Sequence, residues 1–90
     1  MLYIRNDSLE YVSYDDTSLI VLNPVSGETF VFNETGAQII ALLKSIMSLD
    51  EICRAMLEMY SGSEPQIREE IIAFLECTID EGIISVRQLN

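Results

Sequence analysis

The sequence predicts an α+β fold in which a three-stranded antiparallel β-meander precedes three α-helices. Two observations support this fold class. Short runs of β-formers separated by turn residues occupy the N-terminal part, and three apolar patterns of helical period follow, each with a start signal. Apolar residues make up 49% of the 90 residues, enough for one packed core. We therefore expect a single domain over residues 1–90, with its core at about 9–86.

Three strands are predicted before the helices begin, at residues 9–14, 18–23 and 28–32. The middle run is continuously apolar, as is typical of a central strand with neighbours on both sides. Gly27 permits the positive φ that a tight hairpin needs before the third strand returns. In that third strand Phe30 and Phe32 point to one face of the sheet, because side chains alternate along a strand.

Each predicted helix begins at a recognisable capping sequence. Thr35-x-x-Gln38 and Ser48-x-x-Glu51 fit capping boxes, the first opening a helix to about residue 45. Ser63-Glu64-Pro65 opens the third helix, with proline in the first turn, where its missing N–H costs nothing. Gly82 is expected to end this helix as a left-handed cap. Residues 83–86 predict a short closing strand.

Charge and hydropathy narrow the classes of partner. The chain has 15 acidic and 5 basic residues, a formal net charge of −10, which disfavours nucleic acid and anionic membrane surfaces. A basic peptide or a basic face of a partner protein would be attracted instead.

No apolar run approaches the roughly 20 residues that span a bilayer, and no signal peptide begins the chain. We expect a cytoplasmic location.

The residue types that perform catalysis are scarce. There is no histidine, and the paired carboxylates are sequence neighbours whose side chains diverge. The two cysteines, Cys53 and Cys77, are too few for a zinc site or a disulfide framework, and we expect small buried thiols on helix faces. The sequence therefore predicts no catalytic residue, no metal site and no cofactor, and we expect that the chain is not an enzyme.

The third predicted strand has an unusual edge. Natural proteins usually protect free strand edges with lysine or proline, and Glu28-Thr29-Phe30-Val31-Phe32 contains neither. Unless the C-terminal segment covers it, this edge can accept an extended peptide as an added strand. The alternative is that the edge is covered or pairs with a second copy.

Short motifs follow one another in a fixed order along the chain: Val21-Leu22-Asn23, Ser26-Gly27, Phe30-Val31-Phe32-Asn33, Thr35-Gly36, Ser48-Leu49-Asp50-Glu51-Ile52, and Phe74-Leu75 through Gly82-Ile83-Ile84. This ordered set resembles the PqqD-like family, the peptide-recognition elements of systems that modify ribosomal peptides. The resemblance covers about residues 9–86. Phe32 stands where the family usually has leucine, and Thr78 stands where a larger apolar residue is common.

The resemblance implies a winged-helix-like fold and a non-catalytic role. Members of the family bind the leader segment of a precursor peptide and deliver it to a separate maturation enzyme, such as a radical-SAM or protease-type enzyme. The leader adds as a strand to the third β-strand, beside the third helix. Carried over to this sequence, the peptide-binding residues would be Glu28, Thr29, Phe30, Val31, Phe32, Ile67, Glu70, Ile71, Phe74 and Thr78.

Two other functions fit a small sheet with three helices. One is a winged-helix transcriptional regulator, which the acidic charge and the lack of a basic recognition helix disfavour. The other is a subunit whose hairpin edge serves only for dimerisation or for docking to an enzyme.

Overall fold

The computed structural model of the chain describes residues 1–88, so the last two residues of the predicted domain lie outside the described part. Its elements in chain order are β1 Leu2–Arg5, β2 Glu10–Asp15, β3 Ser18–Leu22, β4 Thr29–Phe32, α1 Glu34–Leu42, β5 Met47–Ser48, α2 Leu49–Met59, α3 Glu64–Asp80 and β6 Ile84–Arg87. The described residues form two three-stranded antiparallel sheets and three helices, which confirms the α+β class.

The predicted meander is the sheet β2-β3-β4, with the apolar β3 in the centre as expected. Opposite Phe32 and Phe30 on β4 lie Leu19 and Val21 on β3, both buried, so this face of the sheet packs into the core. Gly27 has a φ of +78° in the β3–β4 turn, which confirms the role predicted for it.

A second sheet, in the order β5-β1-β6, was not predicted. β1 has only four residues, and all of them are half-buried, so the strand is short and neither of its faces is a clear core face. Its partners come from distant parts of the chain, at Met47–Ser48 and Ile84–Arg87. The predicted closing strand is therefore confirmed as β6, and it pairs with β1 and leaves β4 uncovered.

The helix starts follow the sequence with one exception. Ser48 and Glu51 form the predicted capping box of α2, and the Ser63 side chain caps α3. For α1 the predicted cap at Thr35 is wrong: the side-chain oxygen of Asn33 accepts the Gly36 N–H at 3.0 Å, so the helix begins two residues earlier. This helix also ends at Leu42, before the predicted residue 45.

α3 ends before Gly82, whose φ of +78° confirms the predicted left-handed cap and turns the chain into β6.

The core lies between the meander and the three helices. Fully buried aliphatic side chains come from every layer, and each contributes about 1.5–3 kcal/mol to folding; examples are Val21, Ile40, Leu43, Ile52, Ile71 and Ile83. Within residues 1–88, no helix is long and apolar enough to cross a membrane.

Candidate functional site

The outer edge of β4 is open. Among the described residues β4 pairs only with β3, and no other strand lies along its second edge. The strand carries no lysine, no proline and no bulge within Thr29–Phe32 that would block further pairing.

The register of the β3–β4 hairpin identifies the backbone groups that this edge presents. At the turn, Asn23 N–H donates to the Glu28 carbonyl at 2.8 Å, and Gly27 N–H donates to the Asn23 carbonyl at 2.8 Å. Hydrogen-bonded and non-hydrogen-bonded pairs alternate along an antiparallel ladder. Phe30 and Phe32 therefore bond to β3, and the N–H and C=O groups of Thr29 and Val31 point outward to the open edge.

Side chains of β4 divide between the two faces of the sheet. Thr29 and Val31 are exposed on the outer face, Val31 at 70%, whereas Phe30 and Phe32 are half-buried against the core. The Phe32 ring packs edge-to-face against Phe74 of α3, with ring centroids 5.6 Å apart and an interplanar angle of 69°. This aromatic pair joins the end of β4 to α3.

Gly36 makes room for that contact at the start of α1. A Cβ at this position would lie 2.9 Å from Phe74 Cε1 and 3.3 Å from Phe32 Cβ, so only glycine allows the helix to approach both rings this closely. The end of β4, the first turn of α1 and the middle of α3 thus meet at one point.

A cavity of about 400 Å³ opens at this meeting point, a volume within the usual range for ligand sites. Its lining residues are Asn33, Thr35, Gly36, Ile39, Met56, Tyr60, Ser61, Ile67, Glu70, Ile71 and Phe74. The aliphatic and methionine side chains in this set are almost completely buried, so they form an apolar floor. Glu70 is the one charged residue of the described lining.

The structure brings most of the predicted site residues together. Ile67, Glu70, Ile71 and Phe74 line the cavity, and residues 29–32 form the open strand that leads to it. Glu28 is exposed at the turn before β4, at the opposite end of the strand from the cavity.

Thr78 is placed differently from the other candidates. Its side chain is fully buried, and its hydroxyl donates to the Phe74 carbonyl at 2.8 Å, within its own helix. It is absent from the cavity lining. Thr78 therefore supports α3 from the core side.

Sequence reasoning missed the part of the cavity that α1 and the end of α2 supply. Asn33 and Thr35 come from the entry to α1, and Tyr60 and Ser61 follow the last turn of α2. Two signals were available: the Thr35-Gly36 helix entry, and the helix break at Ser61-Gly62-Ser63. Neither signal indicates which surface the residues face until the helices are packed.

The two cysteines lie away from this cavity. Cys53 is buried on α2 as predicted, and burial raises the pKa of its thiol. The prediction was wrong for Cys77, which is exposed because it lies on the outward side of α3; its Sγ is 3.5 Å from Glu81 Oε1, and that carboxylate raises the pKa of the thiol. Within residues 1–88, no group of His, Cys, Asp and Glu is arranged to hold a metal ion.

Comparison with known proteins identifies the family. No curated protein matches the chain. Among solved structures, TbiB1 in complex with the TbiA(beta) leader peptide superposes with a TM-score of 0.83 at 21% identity, covering 96% of this chain and 99% of that chain. Lasso peptide synthetase B1 complexed with the leader peptide gives 0.78 at 18% identity, covering 93% and 98%. Residues 18–84, well over half of the chain, match the family described as coenzyme PQQ synthesis protein D (PqqD), and the chain therefore belongs to the PqqD family.

Proposed function

We propose that this chain binds the leader segment of a ribosomally synthesised precursor peptide and presents it to a separate modifying enzyme. The observation that carries the proposal is the open edge of β4 ending at an apolar cavity. Both solved structures named above share this fold and hold a leader peptide. Membership in the PqqD family supports the same role.

The proposed binding mode is addition of the leader as a fourth strand beside β4. The outward N–H and C=O groups of Thr29 and Val31 would form four ladder hydrogen bonds with the peptide backbone. Such bonds are available to any extended peptide, so they supply register and affinity without selecting a sequence. Selection would come from a leader side chain that enters the cavity next to Phe74, where apolar surface is removed from water.

The chain is proposed to act without catalysing a reaction of its own. Of the described lining residues, Glu70 is the one that carries a carboxylate, and neither cysteine is among them. The modification would be performed by a second protein, such as a radical-SAM or protease-type enzyme, in the cytoplasm where the precursor is made. Residues 1–90 would serve as one peptide-recognition domain.

The direct test is fluorescence anisotropy with labelled leader segments from the short open reading frames beside the gene. We expect saturable binding with a Kd of about micromolar, which corresponds to about −8 kcal/mol, and we expect this binding to be lost when the leader sequence is scrambled. A folded sample that binds none of these peptides would refute the proposed function.

A further inference from the structure

We propose that Glu70 makes the site selective for leaders that carry lysine or arginine next to the residue that enters the cavity. This inference rests on the proposed function and specifies the class of peptide that the site accepts. It concerns the charge of the ligand, which strand addition by itself does not select.

The first support is the position of Glu70 at an otherwise uncharged site. It is exposed, whereas the adjacent Ile67 and Ile71 on the same helix are buried in the floor of the cavity. The remaining polar side chains in the lining are neutral amide and hydroxyl groups. A peptide residue beside the apolar anchor would therefore meet a single carboxylate.

The second support is that Glu70 has no counter-ion in the described residues. The two ion pairs there both use Arg68, which lies 2.7 Å from Asp50 and 3.5 Å from Glu64. Arg68 is thus held toward α2. The positions three and four residues from Glu70 along α3 are Gln66, Ile67, Ala73 and Phe74, none of which is cationic.

The third support is the surrounding charge. Glu34 immediately follows Asn33 at the cavity, and the chain as a whole carries a net charge of −10. An acidic leader residue at this point would be repelled, while the long stem of a lysine or arginine can lie on the apolar wall with its charge at the mouth. The site therefore favours a basic residue and rejects an acidic one.

The test is a double-mutant cycle between peptide and protein. An alanine scan of a leader that binds first identifies the anchor residue. Three versions of that leader, with lysine, glutamine or glutamate beside the anchor, are then titrated against the wild type, Glu70→Gln and Glu69→Gln. Glu69 is the matched control, because it is exposed on the same helix and is not part of the cavity lining.

We expect the lysine peptide to bind the wild type about three- to tenfold more tightly than the glutamine peptide, and the glutamate peptide to bind least. Glu70→Gln should abolish this preference and Glu69→Gln should retain it. The preference should also shrink when the salt concentration is raised from about 0.05 M to about 0.5 M.

Equal Kd values for the three peptides on the wild type, or an equal loss of preference in both glutamine variants, would overturn the assignment of Glu70 and leave the proposed function intact. A cognate leader that binds tightly through an acidic neighbour of the anchor would also overturn it. Failure of every leader to bind the wild type would instead overturn the proposed function.

Discussion

Replacing Val31 with proline tests strand addition at one backbone atom. In the ladder deduced above, the Val31 N–H points to the open edge and takes no part in pairing with β3. Proline removes this donor, and its ring lies on the side where the added peptide would lie. The Val31 side chain is 70% exposed, so its loss leaves the core packing unchanged.

The expected effect is large for the peptide and small for the fold. A leader carbonyl would then be left without a hydrogen-bond partner inside the interface. This loss reduces the binding free energy by about 1–3 kcal/mol and raises Kd about 5- to 150-fold. The free energy of unfolding should fall only slightly, because proline is tolerated on edge strands whose N–H faces outward. Proline at Phe30, whose N–H bonds to β3, should instead lower it by about 3 kcal/mol or more.

Fluorescence anisotropy of the leader and thermal unfolding are measured on each variant. Val31→Ala is the matched control, because it removes the same outward side chain but keeps the N–H. N-methylation of successive leader amides provides a test that leaves the protein unchanged, and its effect should alternate with a period of two residues. A folded Val31→Pro variant that binds as Val31→Ala does, together with a flat methylation scan, would refute strand addition at β4.

Two further predictions concern the framework of the site. Gly36→Ala should lower the free energy of unfolding by about 1–3 kcal/mol, because the new Cβ would lie 2.9 Å from Phe74 Cε1. Chemical denaturation should show a smaller loss of stability when the same substitution is made in a Phe74→Leu background. Equal losses in the two backgrounds would contradict the overlap. The Arg68 guanidinium lies 2.7 Å from Asp50 and lowers the pKa of that carboxyl. The ion pair therefore stabilises the fold at pH values above the ordinary carboxyl pKa, and this stabilisation is lost as the pH falls through the lowered pKa. The Tm difference between wild type and Asp50→Asn should therefore be present at pH of about 7 and disappear in strong acid, and a difference that does not change with pH would exclude the ion pair as its cause.

Local signals predicted the meander, two of the three helix caps and the helix end at Gly82. Each depends on residues close in sequence: a glycine in a turn, or a serine whose side chain reaches an N–H three residues on, as in the capping box of Ser48 and Glu51. The first cap was missed because Asn33 and Thr35 both suit an N-cap, and the choice between them depends on where Phe32 leaves the sheet.

The second sheet and the full cavity could not be predicted in the same way. β1 is stable because it pairs with β6, more than 75 residues away in the chain, as the bond from Asn6 Nδ2 to the Gly82 carbonyl across 76 positions also illustrates. The cavity combines the start of α1, the end of α2 and one side of α3, so its shape depends on helix packing. The wall on the third helix was predicted from the resemblance to the PqqD-like family, and Ile67, Glu70, Ile71 and Phe74 lie in the cavity lining whereas the buried Thr78 does not.

The open edge of β4 raises the question of what prevents two copies of the chain from pairing there. Lysine and proline, the usual protection, are absent from this strand. Each copy carries a net charge of −10, and Glu28 and Glu34 lie just beyond the two ends of β4. In the antiparallel register that places the Val31 residues of two copies opposite each other, the Glu28 of each copy would lie opposite the Glu34 of the other, so like charges would oppose association at both ends. An extended peptide with a basic residue is not opposed in this way, and the charges that flank the strand can therefore keep the edge free for a leader without covering it.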